Sequence, residues 1–259
     1  MSETISDIKR KFKELSFADY SDFIGAYQSD ERSGVQTLIK KAEHEMKAYE
    51  QEEERLEKLS QYEKRYCAYS YICGIDEVGR GPLAGPVVAG AVILPKGCRI
   101  HGINDSKKLS GKKREQLYLE IKREALACAV GIVSPDRIDE INILQATYEA
   151  MRIAISKLSI EPDLLLNDAV TIPDVVIQQV PIIKGDAKSI SIGAASIIAK
   201  VERDHLMEAY DKIFPEYGFA SNKGYGSAEH IKALKTCGAT PIHRNTFIKN
   251  FISEQAGLR

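Results

Sequence analysis

The sequence has little of what several classes of protein require. Its five cysteines form no C-x-x-C pair, which argues against a disulfide framework and indicates reduced thiols in a reducing compartment. Its five histidines are scattered, which argues against a histidine-ligated zinc. No run is apolar and long enough to span a bilayer, and the N-terminus has no apolar signal core. We therefore expect a cytoplasmic protein without a membrane partner, and a monomer.

The chain also lacks an excess of charge of either sign. It has 36 basic and 37 acidic residues, a net charge of −1, so a nucleic-acid partner would have to bind through local basic clusters. What is present is a hydrophobic content of 44% over 259 residues. This content is enough for the core of one large domain, or of a domain with an appendage.

Residues 1–68 are predicted to form a helical extension. Apolar residues recur at helical spacing from residue 35 onward and predict one helix over 35–66, roughly 48 Å long at about 1.5 Å per residue. Residues 1–34 are expected to add a small helical segment. The middle of the long helix is polar on nearly every face, which is typical of a solvated helix; an arm that contacts substrate is the alternative.

Residues 69–259 are predicted to form an α/β domain. Apolar runs typical of strands alternate with segments of helical periodicity, and this alternation favours a layered fold with partly parallel strands. The predicted strands are 69–76, 87–94, 128–133, 163–168 and 175–183, and the predicted helices are 111–126, 143–158, 188–211 and 228–237.

Four carboxylates stand where such a fold binds ligands. Asp76 and Glu77 end the first predicted strand, Asp168 ends another, and Asp186 precedes a long helix. Ligands of open α/β sheets bind outside the carboxyl ends of the strands, so these acids could converge. Carboxylates at the end of a core strand are costly unless a cation or hydrogen bonds compensate them. Four of them would hold two divalent ions about 3.5–4 Å apart, the arrangement used for in-line phosphoryl displacement.

The acids also have simpler interpretations. Asp186 could cap the helix that follows it or its own turn, and Asp168 could form an Asx turn. Asp76 and Glu77 face opposite sides of an ideal strand, so they could share a site only where the strand frays into the following turn. The run 79–85 has the outline of a dinucleotide-binding loop, but prolines remove amide donors there and no helix follows.

One long motif is the most informative part of the chain. It runs from Gly74 to Pro86, Gly-Ile-Asp-Glu-Val-Gly-Arg-Gly-Pro-Leu-Ala-Gly-Pro, and it closely resembles a motif of bacterial ribonuclease HII. The likeness continues in the same order over about residues 70–247, and the set of motifs is very specific. The first 70 residues resemble the extension of some Gram-positive members. The further motifs begin at Asp105, Asp168, Lys184, Ala194, Arg203, Gly224 and Thr240.

The resemblance implies an α/β fold of the ribonuclease H type, in which helices flank a central mixed sheet and an N-terminal helical extension precedes it. It implies that Asp76, Glu77, Asp168 and Asp186 are both the catalytic and the metal-binding residues, with two divalent ions, Mg²⁺ or Mn²⁺, as cofactors. The implied substrates are RNA–DNA hybrids and single ribonucleotides embedded in duplex DNA. Cleavage 5′ to the ribonucleotide would leave a 3′-OH and a 5′-phosphate.

Further positions match substrate contacts of the family. Gly79, Arg80 and Gly81 match the turn that contacts the ribose 2′-OH, the group that separates RNA from DNA. Tyr225 matches the tyrosine that packs on the sugar 3′ of the ribonucleotide; an ordinary loop aromatic is the alternative. The positions that match phosphate contacts are Lys107, Lys200 and Arg203.

Two residues depart from the family pattern. Gly193 stands inside a predicted helix where alanine is usual, at a cost of roughly 0.5–1 kcal/mol, which we expect to affect stability and not the site. Asn167 stands where an aliphatic residue is usual, and it would bury an amide that needs a partner. The remaining alternatives are the related ribonuclease HIII, an RNase H-like recombinase or resolvase that cuts DNA without ribonucleotides, and a nucleic-acid binder with a dead site.

Overall fold

The structure of the chain, a computed structural model, describes residues 3–251. It divides into two compact units, residues 1–58 and 59–259. The predicted boundary after residue 68 lies later in the chain than this division. Where an independently stable catalytic domain begins therefore stays a prediction.

The N-terminal unit is helical. It contains α1 (Ile5–Glu14), α2 (Tyr20–Tyr27) and most of α3 (Ser33–Leu59). Thr4 caps α1, because its hydroxyl accepts a hydrogen bond from the Asp7 amide at 3.2 Å. The apolar faces of the helices form one small core, whose buried members are Ile8, Phe12, Phe23, Val35, Ile39 and Ala42.

The prediction of one helix over 35–66 is wrong at its C-terminal end. α3 ends at Leu59, and Ser60 has φ −95° and ψ 11°, which are not helical values. A short helix, α4 (Gln61–Arg65), follows. α4 is part of the second unit, so the predicted extension includes a segment that packs with the α/β domain.

A five-stranded mixed sheet forms the centre of the second unit. β1 pairs antiparallel with β2 and parallel with β4, β2 pairs antiparallel with β3, and β4 pairs parallel with β5. The prediction of an α/β fold with a mixed sheet is confirmed, with small shifts at the strand ends. The strands are β1 (Ile72–Val78), β2 (Val87–Ile93), β3 (Ala127–Val133), β4 (Leu164–Asp168) and β5 (Gln178–Ile182), in the order β3-β2-β1-β4-β5.

Helices pack on both faces of this sheet. Alternate residues of β1 point to opposite faces: Cys73 and Ile75 belong to a core shared with α6 (Pro135–Ser156), whereas Ile72 belongs to a core shared with α7 (Ile190–Ile213). α7 lies very close to the sheet, because a Cβ added at Gly74 would be 2.1 Å from a main-chain carbon of α7. Asp76 is on the same face as Gly74 and therefore faces α7.

The predicted helix over 143–158 begins earlier than expected. α6 begins at Pro135, and Asn142, with φ 66°, interrupts it. The Asn142 carboxamide accepts hydrogen bonds from the amides of Leu144 and Gln145, at 3.0 and 3.2 Å. Asn142 therefore caps the second part of α6, and this second part is what the periodicity detected.

The remaining helices complete the second unit. They are α5 (Gly111–Glu124), α8 (Phe219–Asn222), α9 (Ala228–Cys237) and α10 (Asn245–Ile248). α9 and α10 share a second apolar cluster with the end of α7. Within residues 3–251, no helix has the length and apolar character needed to cross a membrane.

Candidate active site

The four predicted acids lie on neighbouring elements at one edge of the sheet. β1 carries Asp76 and Glu77, and its parallel neighbour β4 ends at Asp168. Asp186 lies in a 3₁₀ turn, Gly185–Ala187, shortly before α7. The carboxyl ends of parallel neighbours meet at the same edge of a sheet. The fold therefore brings the four acids to one region.

Asp76 and Glu77 lie within the strand, which does not fray there because β1 stays paired with β2 through Val78. Asp76 is 7% exposed, and its Oδ1 accepts a hydrogen bond from the Glu77 amide at 2.8 Å. Burial, and then the charges of Glu77 and Asp168, raise the pKa of Asp76 well above its usual range. Burial also raises the pKa of Glu77, although Arg80 opposes this shift.

The structure supports neither an Asx turn at Asp168 nor a cap of α7 by Asp186. Asp168 Oδ1 accepts a hydrogen bond from the Gly185 amide at 2.7 Å, a contact across 17 residues and not an Asx turn. The N-cap of α7 is Ser189, whose hydroxyl accepts from the Ile192 amide, so Asp186 does not cap this helix. Burial raises the pKa of Asp186, and the nearby charge of Asp168 adds to the shift.

The donor set of this region suits hard divalent cations. Carboxylate oxygens are the ligands that Mg²⁺ and Mn²⁺ prefer, and Glu77 Oε2 is buried without a hydrogen-bond partner. The raised pKa values of Asp76, Glu77 and Asp186 show that the protein does not fully compensate their charge. Among residues 3–251, no three potential ligands are close enough together to hold one ion. The acids fit divalent cations by their chemistry, but they do not form a closed ligand shell.

Two groups beside the acids were missed by the sequence analysis. The charge of Asp105 contributes to the raised pKa of Asp186. The Ser196 hydroxyl favours the ionised form of Asp76 and so opposes the raised pKa of that carboxylate, and it lies 3.0 Å from the Ser106 hydroxyl. Each residue belongs to a motif that carries the family resemblance, and motif membership was the signal that could have found them.

The predicted sugar-contacting turn follows β1 directly. Gly79 has φ +89°, a value that favours glycine. Arg80 is half-exposed, and its Nη1 lies 3.3 Å from Glu77 Oε1. Gly81 is exposed, and a Cβ added there would lie 3.8 Å from the ring of Tyr225. The turn and the predicted sugar-packing tyrosine are therefore adjacent.

Tyr225 stands on a loop with an unusual main-chain conformation. Lys223 and Gly224 have φ of 52° and 85°, and the Gly224 carbonyl accepts a hydrogen bond from the Leu83 amide at 2.8 Å. The Tyr225 ring is 47% exposed. An exposed ring on a loop that is bonded to the glycine turn is available to a ligand, and its sugar contact stays a prediction.

Arg203 does not have the position expected of a phosphate contact. Its side chain is fully buried, and its guanidinium donates to the carbonyl oxygens of Pro86, Ala84 and Lys223, at 2.9, 3.1 and 2.8 Å. With its donors used in this way, Arg203 cannot also present them to a phosphate on the surface. Arg203 lies beneath the turn instead.

The two predicted phosphate-binding lysines differ in their surroundings. Lys107 is exposed, and its positive charge opposes the raised pKa of Asp186, which places it near the acids. Lys200 is half-buried on α7, and its Nζ lies 2.6 Å from Asp204 Oδ1. Lys107 is therefore accessible to a phosphate, whereas Lys200 would have to leave an ion pair.

The two departures from the family pattern have structural consequences. A Cβ added at Gly193 would lie 3.2 Å from the carbonyl oxygen of Asp186, so this glycine packs against the turn that carries an acid; that it affects stability and not the site stays a prediction. Asn167 is fully buried, and its Nδ2 donates to Gln179 Oε1 at 2.8 Å, while its Oδ1 has no partner. Of the two polar atoms of the Asn167 carboxamide, only the nitrogen therefore has the partner that a buried amide needs.

Comparison with known proteins agrees with this geometry. Residues 73–250 match the family described as Ribonuclease HII, and residues 4–67 match the Ribonuclease HII N-terminal domain. A ribonuclease HII of Lachnoclostridium phytofermentans is 62% identical over 98% of this chain and all of its own length, and one of Clostridioides difficile is 51% identical over 96% and 99%.

Solved structures show the same fold. The crystal structure of ribonuclease H2 from Pyrococcus horikoshii is 31% identical to this chain, with a TM-score of 0.58, and covers 68% of this chain and 93% of its own. Ribonuclease HIII structures match at 16–18% identity and show the fold alone. Family membership implies a hydrolase, an endoribonuclease that acts on RNA–DNA hybrids. The chain belongs to the ribonuclease HII family.

Proposed function

We propose that this enzyme cleaves RNA–DNA hybrids and also cuts 5′ to single ribonucleotides embedded in duplex DNA, leaving a 3′-OH and a 5′-phosphate. The observation that carries the proposal is the adjacency of incompletely compensated acids to a glycine turn whose Gly81 is exposed, and to an exposed tyrosine. The acids provide a site for hydrolysis, and the turn and the ring provide a surface for one sugar.

Asp76, Glu77, Asp168 and Asp186 would hold two divalent ions, Mg²⁺ or Mn²⁺. When bound, such ions activate water and stabilise charge at the scissile phosphate. The chain's own part is to supply the negative charges and to orient them, because hydrogen bonds to the ligands hold carboxylates in place. The Gly185 amide does this for Asp168.

The turn at residues 79–81 would recognise the ribose through its main chain. Glycines let the backbone approach a sugar where a longer side chain would not fit, and the 2′-OH is both a donor and an acceptor. Only Val78 separates Glu77 from this turn. Contact with the hydroxyl would therefore place the neighbouring phosphate at the acids, and small misplacements at a reacting centre can cost on the order of 10²-fold in rate.

The test is single-turnover cleavage of matched duplexes that carry ribose, 2′-deoxyribose or 2′-O-methylribose at one position, with and without Mg²⁺. We expect metal-dependent cutting of the ribose duplex alone, 5′ to the ribonucleotide, while all three duplexes bind. Comparable cutting of the all-deoxy duplex would contradict the proposal and would favour a recombinase-like or resolvase-like activity.

A further inference from the structure

Two fully buried arginines, Arg203 and Arg244, lie beneath the active-site turn. Both side chains are 0% exposed. The seven hydrogen bonds that their guanidinium groups donate all go to main-chain carbonyl oxygens. Burying a guanidinium without a carboxylate partner is costly, and a hydrophobic side chain would avoid this cost only by leaving these carbonyl oxygens without donors. The arginines therefore need an explanation other than packing.

Arg244 is hydrogen-bonded to the turn at residues 79–81 and to Gly85, which lies just after it. Its Nη2 donates to the carbonyl of Gly79 at 2.5 Å, its Nη1 to the carbonyl of Arg80 at 2.9 Å, and its Nε and Nη2 to the carbonyl of Gly85, at 3.0 and 2.8 Å. One rigid planar group thus sets the spacing of three carbonyls. Two of these carbonyls belong to the segment proposed to contact the 2′-OH.

Arg203 connects the turn with the loop that carries Tyr225. Just after the turn it donates to the carbonyls of Ala84 and Pro86, and on the loop it donates to the carbonyl of Lys223. A Cβ added at Gly79 would lie 2.3 Å from Arg203 Nε. The arginine is therefore packed directly against the main chain of the turn.

Further hydrogen bonds join the turn to the Tyr225 loop and to the segment that precedes Arg244. The amide of Leu83 donates to the carbonyl of Gly224 at 2.8 Å, and the amide of Gly85 donates to the carbonyl of Ile242, also at 2.8 Å. On the other side of the loop, His230 Nδ1 lies 2.8 Å from the carbonyl of Tyr225. The turn, the Tyr225 loop and the segment before Arg244 thus form one hydrogen-bond network. The two guanidinium groups are its charged members.

We propose that Arg203 and Arg244 are positioning residues for ribose discrimination. They contact neither the sugar nor the reacting phosphate; they hold the carbonyls of the turn so that the main chain at residues 79–81 stands at a set distance from the Tyr225 ring. This inference rests on the proposed function, because it assumes that the turn contacts the 2′-OH. Lysine could not replace either residue, since it offers three donors at one point and not a planar fork.

The experiment compares Arg244→Lys and Arg203→Lys with the unaltered protein, in Mg²⁺, on duplexes that carry one ribose or one 2′-fluororibose. We expect the single-turnover rate on the ribose duplex to fall on the order of 10²-fold, with little change in the Kd of the duplex. The rate on the 2′-fluoro duplex, which lacks the hydroxyl donor and should already be cut slowly by the parent, should fall much less. The ratio of the two rates is the readout that a merely structural role would not change.

The matched control is Leu234→Ala. Leu234 is fully buried in the apolar cluster next to this hydrogen-bond network. Ala84 and Met207 belong to the same cluster. Its truncation destabilises the same region without removing a bond to the turn. If Leu234→Ala lowers the ribose-to-fluoro ratio as much as the arginine variants do, or if the arginine variants keep the ratio of the parent, the inference is wrong.

A second measurement covers the case in which a lysine variant does not fold. In Arg244→Ala, guanidinium ion at a non-denaturing concentration should restore part of the ribose rate, whereas tetramethylammonium at equal ionic strength should not. Equal effects of both ions would also contradict the inference. The proposed function fails separately, if the unaltered protein itself cuts an all-deoxy duplex.

Discussion

The carboxylates of β1 show how the proposed catalytic site conflicts with stability. Burial raises the pKa of Asp76 and Glu77, which means that the fold disfavours their ionised forms. Shifts of this kind cluster at functional sites, because the groups are arranged for chemistry and not for mutual compensation. A bound divalent cation would offset the repulsion, and this has a consequence for thermal stability that does not depend on catalysis.

The first prediction concerns Asp186→Asn. Mg²⁺ or Mn²⁺ should raise the Tm of the unaltered protein, because a ligand that binds only the native state stabilises it by RT ln(1 + [L]/Kd). The variant should show a smaller rise and should lose most cleavage, while it still binds a hybrid. Differential scanning fluorimetry over a metal titration, together with a gel-based cleavage assay, measures both effects.

The control for this charge change is Asp174→Asn. The Asp174 side chain is 86% exposed, and its φ of 61° suits asparagine. We expect this variant to keep both the metal-dependent rise in Tm and the activity. If Asp186→Asn cuts at the rate of the parent, Asp186 is not a metal ligand.

The second prediction concerns Gly81→Ala. The position is free of steric conflict, because an added Cβ would lie 3.8 Å from the Tyr225 ring, so the Tm should stay close to that of the parent. The methyl group would keep the main chain away from a sugar, and the single-turnover rate on a ribonucleotide duplex should fall by about 10-fold or more. Gly25→Ala, at an exposed helix position with nothing within 4 Å, is the matched control. A rate equal to that of the parent would show that Gly81 is not in contact with the sugar.

Among the secondary-structure elements, α4 contacts the beginning of α7, although the sequence indicates only a solvated helix there. Glu63 Oε1 accepts hydrogen bonds from the Ser189 hydroxyl at 2.6 Å and from the Ser191 amide at 3.1 Å, at the beginning of α7. Anionic groups are favourable at a helix N-terminus. Tyr62 and Tyr66 pack against the apolar cluster of β1, β4 and α7. α4 therefore stabilises the helix that lies against the acids.

The third prediction compares two deletions. Deleting residues 1–58 keeps α4 and should leave a folded nuclease whose Tm is close to that of the full chain. Deleting residues 1–68 removes the Glu63 bonds and the packing of two tyrosines, so it should unfold at a lower temperature and cleave more slowly. Circular dichroism melts and initial cleavage rates measure these differences.

The outcome decides where the catalytic domain begins. Equal Tm values for the two deletions would support the boundary after residue 68, whereas failure of both to fold would show that α1 to α3 contribute to the core of the α/β unit. Glu63→Gln, which keeps the shape of the side chain and removes its charge, should lose part of the stability that separates the two deletions.

For the molecule as a whole, a buried pair of histidines couples stability to pH. His230 Nε2 and His243 Nε2 are 3.0 Å apart. His243 Nδ1 accepts from the Thr240 amide at 2.9 Å, and His230 Nδ1 lies 2.8 Å from the Tyr225 carbonyl. These partners assign one hydrogen to the bond between the two rings, donated by His243. A second hydrogen there would place two donors face to face.

The fourth prediction is a loss of stability in acid. Burial lowers the pKa of His243 to about 4, and the neighbouring His230 adds to the shift; in the unfolded chain the pKa of histidine is near 6.5. The unfolded state therefore binds more protons between these values, so stability falls as pH drops from about 6.5 to about 4. Tm measured across this range should decrease, and it should decrease less steeply in His243→Gln. Parallel slopes would show that other groups control the acid limit.

Local patterns in the sequence predicted most of the fold. Strand runs such as the one ending at Asp76 are apolar, short and bounded by turns, so their periodicity alone identifies them. The four acids were identified because carboxylates at the ends of buried strands are costly and need a reason. The end of α3 at Leu59 was missed, because residues 61–65 are also helical and the break at Ser60 has no glycine or proline to mark it.

The chain alone thus specified element type and sheet class and proposed the candidate acids, since these depend on the order of residue types along a few turns or strands. Contacts between distant segments determined the rest. Arg203 and Arg244 look like surface cations in the sequence, yet packing buries both beneath the glycine turn. Glu63 looks like one more charge on a solvated helix, yet it bonds to the beginning of α7. Burial and hydrogen-bond partners across more than a hundred residues have no local signature, and therefore only the folded structure reveals them.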